Sequence, residues 1–421
     1  MKAILVGVKL DEVLLKDFED EMDELKNLSS ACDIETIEMV KQTLPFINSQ
    51  TYVGKGKLEE LKMLINGLEP DVIICNDELT PLQIANISEE LDILIYDRTY
   101  LILEIFKSRA KTKEAIIQVE IAMLNYVLPR LVGLRKGLSR QRGSGGGFAH
   151  GKGAGESKLE LDRRINKDKI SALKEELREL SKVRKTQREK RKKSATPTVC
   201  LVGYTNSGKS TLMNKLLSIS KVSEEKKVFQ KNMLFATLET SSRKMSFKSG
   251  SFVLTDTVGF IQKLPHHLVE AFKSTLEEIK EADLILHVVD GSNEKYLNQI
   301  QATNTVLEKL EVKEIPVVYV FNKIDKVDNY LYIPNEFQLA YRISAKKGTN
   351  VEYLIDEINK ILYKNYLEVI LEIPYDKNEI VHEIYNVAIN VNIKYGDDKT
   401  IIKCKMDNIN INKYKQYINY E

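Results

Sequence analysis

Val199-Cys-Leu-Val-Gly-Tyr-Thr-Asn-Ser-Gly-Lys-Ser-Thr-Leu212 decides the fold, because a β-rich apolar run, a G-x-x-x-x-G-K-S loop and the start of a helical run follow one another without a break. The order reads as a phosphate cradle. Gly203 and Gly208 let the backbone curl so that the N–H groups along Tyr204, Thr205, Asn206 and Ser207 turn inward. Lys209 then reaches the β- and γ-phosphates and Ser210 ligates Mg2+. Thr211 lies in the first turn of the following helix, whose N-terminal dipole faces the same anion.

The chain downstream supplies further parts of a nucleotide-hydrolysing switch, in order. The apolar strand Phe252-Val-Leu-Thr ends at Asp256-Thr-Val-Gly259. Asp256 is placed to hold Mg2+ through water, and the Gly259 N–H to bind a γ-phosphate. Val317-Val-Tyr-Val-Phe is a second buried strand, and it ends at Asn322-Lys323-Ile324-Asp325. Guanine offers an N1–H and an exocyclic amine where adenine does not, so a carboxylate at Asp325 selects it, with Lys323 lying over the base. Ser344-Ala345-Lys346, after the short strand Tyr341-Arg-Ile, is placed to give a backbone N–H to guanine O6. Singly these tetrads and triplets are ordinary polar turns; ordered behind a P-loop they specify a GTPase.

Within that site Lys209, Thr237 and Gly259 are the expected catalytic groups, Thr237 sensing the γ-phosphate and completing the Mg2+ shell with Ser210 and Asp256; Thr240 is the second choice for switch I. Phe260 follows Gly259 where many related switches carry a glutamine that orients water. Its ring cannot hydrogen-bond, so intrinsic hydrolysis is expected to be slow. Asn206 has two readings, a ligand for a potassium ion between the phosphates or a brace of the loop.

With 421 residues the chain has room for two to four domains, each with its own core. No apolar stretch is long or uncharged enough to span a bilayer, and the start lacks a signal-peptide pattern. The expectation is a cytoplasmic protein, with ribosome- or membrane-associated fractions left open. Cys32, Cys75, Cys200 and Cys404 have neither metal-ligand nor disulfide spacing, and the five histidines form no ligand cluster, although His266 and His267 are adjacent. The net charge of +2 predicts no nucleic-acid partner by itself.

Its distribution is more telling. Residues 1–112 read as a small α/β layer, with strands at Ile4-Leu-Val-Gly, Val72-Ile-Ile-Cys and Ile93-Leu-Ile-Tyr and helices over Leu58–Leu68 and Leu82–Leu91. Tyr52-Val-Gly-Lys-Gly-Lys57 either holds an anion or is a plain structural turn. Residues 113–194 read as a helical hairpin, one stripe carrying Ile117, Ile121, Leu124 and Leu128 and the other Leu161, Ile165, Ile170, Leu173, Leu177 and Leu180. Its tip, Gly133–Gly155, carries Arg135, Lys136, Arg140, Arg142 and Lys152 and no acid. As a flexible linker such one-signed charge is unusual; as an RNA contact, glycines permit close approach and arginines pair with phosphates. Lys182 to Lys193 adds a basic run, either a solvated helix end or a further RNA contact.

Taken together, Tyr52-Val-Gly-Lys-Gly-Lys, Tyr96-Asp-Arg-Thr, Gln118-Val-Glu-Ile-Ala, Leu128-Pro-Arg-Leu, Gly155-Glu-Ser-Lys-Leu-Glu-Leu-Asp-Arg-Arg164, the P-loop, Phe235-Ala-Thr-Leu, Asp256-Thr-Val-Gly-Phe-Ile and Leu264-Pro-His-His-Leu-Val-Glu-Ala-Phe resemble the HflX group of ribosome-associated GTPases. The resemblance runs from the first domain through the GTPase domain. It implies a two-part N-terminal region that binds the large ribosomal subunit, a glycine-rich loop reaching toward the peptidyl-transferase region, and dissociation of stalled or idle ribosomes. One departure is Gly153-Ala-Gly-Glu156 after an added glycine-rich stretch, where the family often has a shorter run ending Gly-Pro-Gly-Glu.

The fold expected is α/β: a P-loop GTPase domain over 195–365 with a doubly wound, mostly parallel sheet, preceded by the α/β layer and hairpin and followed by a small α+β domain over 366–421. The strands expected there are Val387-Ala-Ile-Asn-Val-Asn-Ile and Thr400-Ile-Ile-Lys-Cys-Lys-Met. GTP is the substrate, with Mg2+ and, on one reading of Asn206, K+; the large ribosomal subunit and its RNA are the partners. The alternatives are an assembly or RNA-remodelling GTPase that also uses ATP through the N-terminal domain, and a regulatory adaptor that binds a protein partner.

Overall fold

The computed structural model describes residues 1–130, 152–192, 196–220, 241–257, 259–261, 277–312, 314–327 and 331–419. The chain divides into two compact units, the first built mainly from Met1–Leu180 and the second from most of the chain beyond Ser181.

In the first unit, β1 (Lys2–Leu10), α1 (Leu15–Ala31), β2 (Glu35–Leu44), α2 (Lys55–Leu68), β3 (Val72–Cys75), α3 (Pro81–Leu91), β4 (Leu94–Asp97) and α4 (Arg98–Arg109) alternate. The sheet has the order β2-β1-β3-β4 and is parallel throughout. β3 reads as an unbroken apolar run because helices cover both its faces and all four residues are buried. α3 starts sharply: Thr80 caps Gln83, Gln83 returns the bond to Thr80, and Pro81 fills the first turn, where no N–H is needed. The sequence reading named β1, β3, β4, α2 and α3 but passed over α1, β2 and α4. α5 (Lys113–Val127) and α6 (Lys152–Lys192) then form the hairpin seam, in which Ile117, Ile121 and Leu124 meet Ile170, Leu173, Leu177 and Leu180.

Two expectations for the hairpin are corrected. Leu161 and Ile165 are 56% and 54% exposed, and Leu128 begins a 3-10 turn ending at Arg130, because Pro129 cannot continue α5. The tip also ends earlier than expected, since residues 152–155 already belong to α6. The rest of the expected loop, 133–151, lies outside the described residues.

In the second unit, β5 (Thr198–Val202), α7 (Lys209–Ile219), β6 (Ser241–Ser246), β7 (Ser251–Asp256), β8 (Leu284–Asp290), α8 (Tyr296–Lys309), β9 (Val317–Asn322), β10 (Ala340–Arg342) and α9 (Val351–Leu362) build a six-stranded sheet of order β10-β9-β8-β5-β7-β6. Only β6 runs antiparallel. β6 and β7 lie on one side of β5 and β8, β9 and β10 on the other, so the strand order reverses at β5 and the carboxyl ends of β5, β7, β8 and β9 open on the crevice where such folds take ligands. A core of Val199, Leu201, Leu212, Leu216, Leu254, Leu286, Val320 and Ile358 holds these ends in place.

The unit ends in β11 (Leu367–Pro374), α10 (Asn378–Val387), β12 (Ile389–Tyr395), β13 (Lys399–Met406), α11 (Asn408–Lys413) and β14 (Ile418–Asn419), an antiparallel sheet of order β12-β13-β11-β14. Val387, expected in a strand, closes α10 instead. Cys75, Cys200 and Cys404 are buried and Cys32 half-buried, all as free thiols. Among the described residues no helix is long and apolar enough to cross a membrane.

Candidate nucleotide site

β5 delivers the chain into the loop Gly203–Gly208, and each terminal glycine is required by its surroundings. Gly203 has φ +144° and a Cβ there would lie 2.2 Å from the Val288 carbonyl oxygen; Gly208 has φ +98° and its Cβ would lie 2.2 Å from Asn322 Nδ2. Both lie in the left-handed region, where only glycine is unstrained. Asn206 is exposed at φ +60°, a conformation asparagine tolerates better than most residues. The hydroxyls Thr205 Oγ1 and Ser207 Oγ are buried with no hydrogen-bond partner among the described residues. A concave loop with two unspent hydroxyls fits a polar anion rather than an apolar filler.

Lys209 opens α7 and is folded under its own loop, Nζ donating to the carbonyls of Gly203 at 2.9 Å and Tyr204 at 2.8 Å. Burial lowers its pKa to about 8, partly opposed by Asp256, so the ammonium remains charged at neutral pH. The following residue, Ser210, donates through Oγ to Asp256 Oδ2 at 3.1 Å, and Asp256 is fully buried at the end of β7. A hydroxyl and a carboxylate oxygen side by side are hard oxygen donors of the kind that hold Mg2+ beside phosphates. Thr211, next in the helix, is half-buried. Thr237 and Thr240 lie outside the described residues, as do His266 and His267.

Gly259 sits against the loop, since a Cβ on it would be 3.0 Å from Thr205 Cα and 3.1 Å from Lys209 Nζ. Phe260 continues as a one-residue parallel bridge to Tyr204: Thr205 N–H donates to the Phe260 carbonyl at 2.7 Å and Phe260 N–H to the Gly203 carbonyl at 3.1 Å. Its ring is 2% exposed, withdrawn into the interior. Phe260 therefore meets the loop through its main chain, a role its side-chain identity does not announce.

At the base end, Asn322 braces the two loops. Its Nδ2 donates to the Ser207 carbonyl at 3.0 Å and its Oδ1 accepts from Ala345 N–H at 2.9 Å, which ties phosphate loop and base loop together. Asp325 Oδ1 accepts from Ser344 Oγ at 2.6 Å; that bond, with Lys347 and Lys346 nearby, holds the carboxyl below its ordinary pKa and keeps it ionised. Of the three N–H groups expected to serve guanine O6, Ser344's goes to Thr349 and Ala345's to Asn322, leaving Lys346's with no described acceptor.

Two residues at this crevice were passed over. His287 on β8 is 1% exposed, and burial together with the Lys209 charge lowers its pKa to about 3, so it is neutral. Asp290 ends β8 and pairs with Lys323 at 2.6 Å; a polar Asp290-Gly291-Ser292 closing a buried strand was the signal available. In the first unit the turn at Gly54 is braced from within, its N–H donating to Gln42 Oε1 at 2.9 Å and Lys57 pairing with Glu60 at 2.6 Å.

A sheet of this order with a glycine-bounded loop after β5, a buried carboxylate after β7 and an Asn-Lys-x-Asp turn after β9 defines a P-loop GTPase, which hydrolyses GTP. Family models agree: residues 198–323 match one described as 50S ribosome-binding GTPase, 19–107 one described as GTP-binding GTPase N-terminal, and 109–191 its middle region. The chain is 45% identical over 377 residues to the GTPase HflX of Caldanaerobacter subterraneus subsp. tengcongensis, covering 89% of this chain and 84% of that one. It is 44% identical over 373 residues to the GTPase HflX of Lacrimispora saccharolytica, covering 87% and 85%. The chain belongs to the HflX family. Among solved structures, a GTP-binding protein from Sulfolobus solfataricus in complex with GDP aligns over 86% of this chain and 99% of that one, at 26% identity and a TM-score of 0.44.

Proposed function

We propose that the protein is a GTP-gated factor that binds the large ribosomal subunit and separates stalled or idle ribosomes into subunits. The observation that carries this reading is the acid-free, arginine-bearing stretch Gly133–Gly155 set into the family's hairpin, in a chain whose GTPase region matches a 50S ribosome-binding family. Such a stretch gains free energy only against an anionic surface, and ribosomal RNA is one.

In the reaction, the amides of the loop from Gly203 to Gly208 and the Lys209 ammonium take the charge that develops on the phosphates, while Gly259 N–H and Thr237 sense the γ-phosphate. Ser210, Thr237 and Asp256 would hold Mg2+, which would neutralise phosphate charge. If a K+ ion is used, Asn206 would be its ligand; otherwise Asn206 braces the loop. Asp325 accepts from guanine and Lys346 N–H donates to its O6. No polar side chain follows Gly259 to orient water, so turnover alone is slow and the ribosome supplies the missing order.

Sedimentation of ribosomes with the protein and GTP, GDP or a non-hydrolysable analogue tests the reading. Subunits should accumulate with the GTP forms and not with GDP. Replacing 133–151 by a neutral glycine-serine turn should abolish splitting while GTP binding persists, and residual ribosome binding should fall steeply with salt. Normal splitting by the shortened protein would make the stretch a spacer and overturn this mechanism, whereas absence of splitting with partner binding indifferent to salt would favour a regulatory adaptor.

A further inference from the structure

β8 and β9 are paired in register so that Asp290 stands opposite Asn322, and the Gly291 N–H donates to the Asn322 carbonyl at 2.8 Å. The residue after Asn322 is Lys323, which takes the left-handed conformation, φ +66°. It crosses to β8 and its Nζ meets Asp290 Oδ2 at 2.6 Å, with both side chains mostly buried, 18% and 16% exposed. The carboxylate is itself held: Oδ1 accepts from Ser292 Oγ at 2.6 Å and from Ser292 N–H at 3.1 Å.

We propose that Asp290, fixed by Ser292, is the positioning residue for Lys323 in guanine recognition. The proposal rests on the reading that Asn322 to Asp325 binds guanine. Lysine is among the side chains with the most rotamer freedom to lose, and a left-handed backbone does nothing to restrain it beyond Cβ. Held at its ammonium by Asp290, the methylene stem already lies along one course before nucleotide arrives. The pairing also cancels the lysine charge locally, so the stem meets the base as an apolar surface while charge recognition stays with Asp325. An ordering cost met during folding is not charged to binding.

Asp290→Asn removes the charge that holds Lys323 while keeping an acceptor for Ser292. GDP and GTP affinity should each fall about tenfold, the ordering cost of one lysine side chain, with faster GDP release. Because the base end is common to both nucleotides, the GDP-to-GTP affinity ratio should stay constant, and in turnover the loss should fall on KM while kcat moves less than twofold. A double-mutant cycle with Lys323→Met separates positioning from general support: the Asp290→Asn effect should vanish once the lysine is gone. Ser292→Ala, which leaves the carboxylate but loosens it, should give a loss of about threefold in the same direction and remains informative if Asp290→Asn folds poorly. Unchanged GDP affinity in both variants, or an equal loss with and without Lys323, would overturn the proposal. If Asp325→Asn also leaves guanine affinity unchanged, the tetrad itself has been misread and the failure lies there.

Discussion

Asn322→Ala is the perturbation that asks most of the site. Asn322 is 2% exposed, and its amide is the one side chain that ties the Ser207 carbonyl at 3.0 Å to the Ala345 N–H at 2.9 Å. Truncation deletes two hydrogen bonds, each worth about 1 kcal/mol net, and strands a carbonyl and an N–H in the interior, each costing about 1–3 kcal/mol unless water reaches it. A loss of about 2 kcal/mol in the second unit follows where water reaches both stranded groups, and of about 4 kcal/mol or more where it reaches neither. Nucleotide affinity should fall by at least about tenfold, because each 1.4 kcal/mol of loop reordering met during binding is a factor of ten. Urea unfolding of the full chain, followed by a probe in the second unit, reads the first quantity, and equilibrium GDP titration the second. Asn322→Asp should do no better, since it keeps the Oδ1 acceptor but aims a carboxylate at the Ser207 carbonyl. An unchanged unfolding midpoint together with GDP affinity within twofold of the parent would refute the brace.

Asp325→Asn should weaken guanine nucleotides by about 2–3 kcal/mol, roughly 30–150-fold, and favour xanthine nucleotides, measured by competition titration; equal GTP and XTP affinity in the parent would defeat the assignment. His287 contributes a pH dependence whose sign is fixed: its folded pKa of about 3 lies below the ordinary 6.5, so the unfolded chain binds the extra proton between those values and stability falls as pH drops from 6.5 toward 3. The slope is up to about 1.4 kcal/mol per pH unit, and His287→Gln should flatten it in urea titrations at pH 6.5 and 4.5. Exchanging potassium for sodium should lower ribosome-stimulated hydrolysis if Asn206 ligates the ion, and Asn206→Ala should erase the difference; equal rates in both salts leave Asn206 as a loop residue only.

The candidate site was readable wherever the chemistry expected of it is carried by a contiguous run at a strand end. Gly203 to Thr211, Asp256 to Gly259, Asn322 to Asp325 and Ser344 to Lys346 each announce themselves because phosphate and guanine demand fixed residue types at fixed spacing. The first unit was less legible. β2 is an edge strand, most of its residues only half-buried, so alternation is weak. α1 does carry a stripe at Phe18, Met22, Leu25 and Leu28, yet acids crowd the rest of it. Periodicity also states which face of a helix is apolar, not whether a neighbour reaches it. That is why Leu161 and Ile165 fit the pattern of α6 and still stand exposed.

What no motif could convey is how the runs are joined. The four nucleotide motifs sit on separate strands, and their mutual placement depends on groups reaching between them: Asn322 onto Ser207 and Ala345, Ser344 onto Asp325, Asp290 onto Lys323, and the Phe260 main chain onto Gly203 and Thr205. Three of these four links use a residue already in a motif, for a purpose that its place in the motif does not reveal. The fourth uses backbone groups, to which side-chain identity is blind. A bond between the ends of different strands leaves no local periodicity. It becomes visible only once the parallel register puts Asp290 level with Asn322, and with that register the same bonds make the phosphate loop and the base loop yield together.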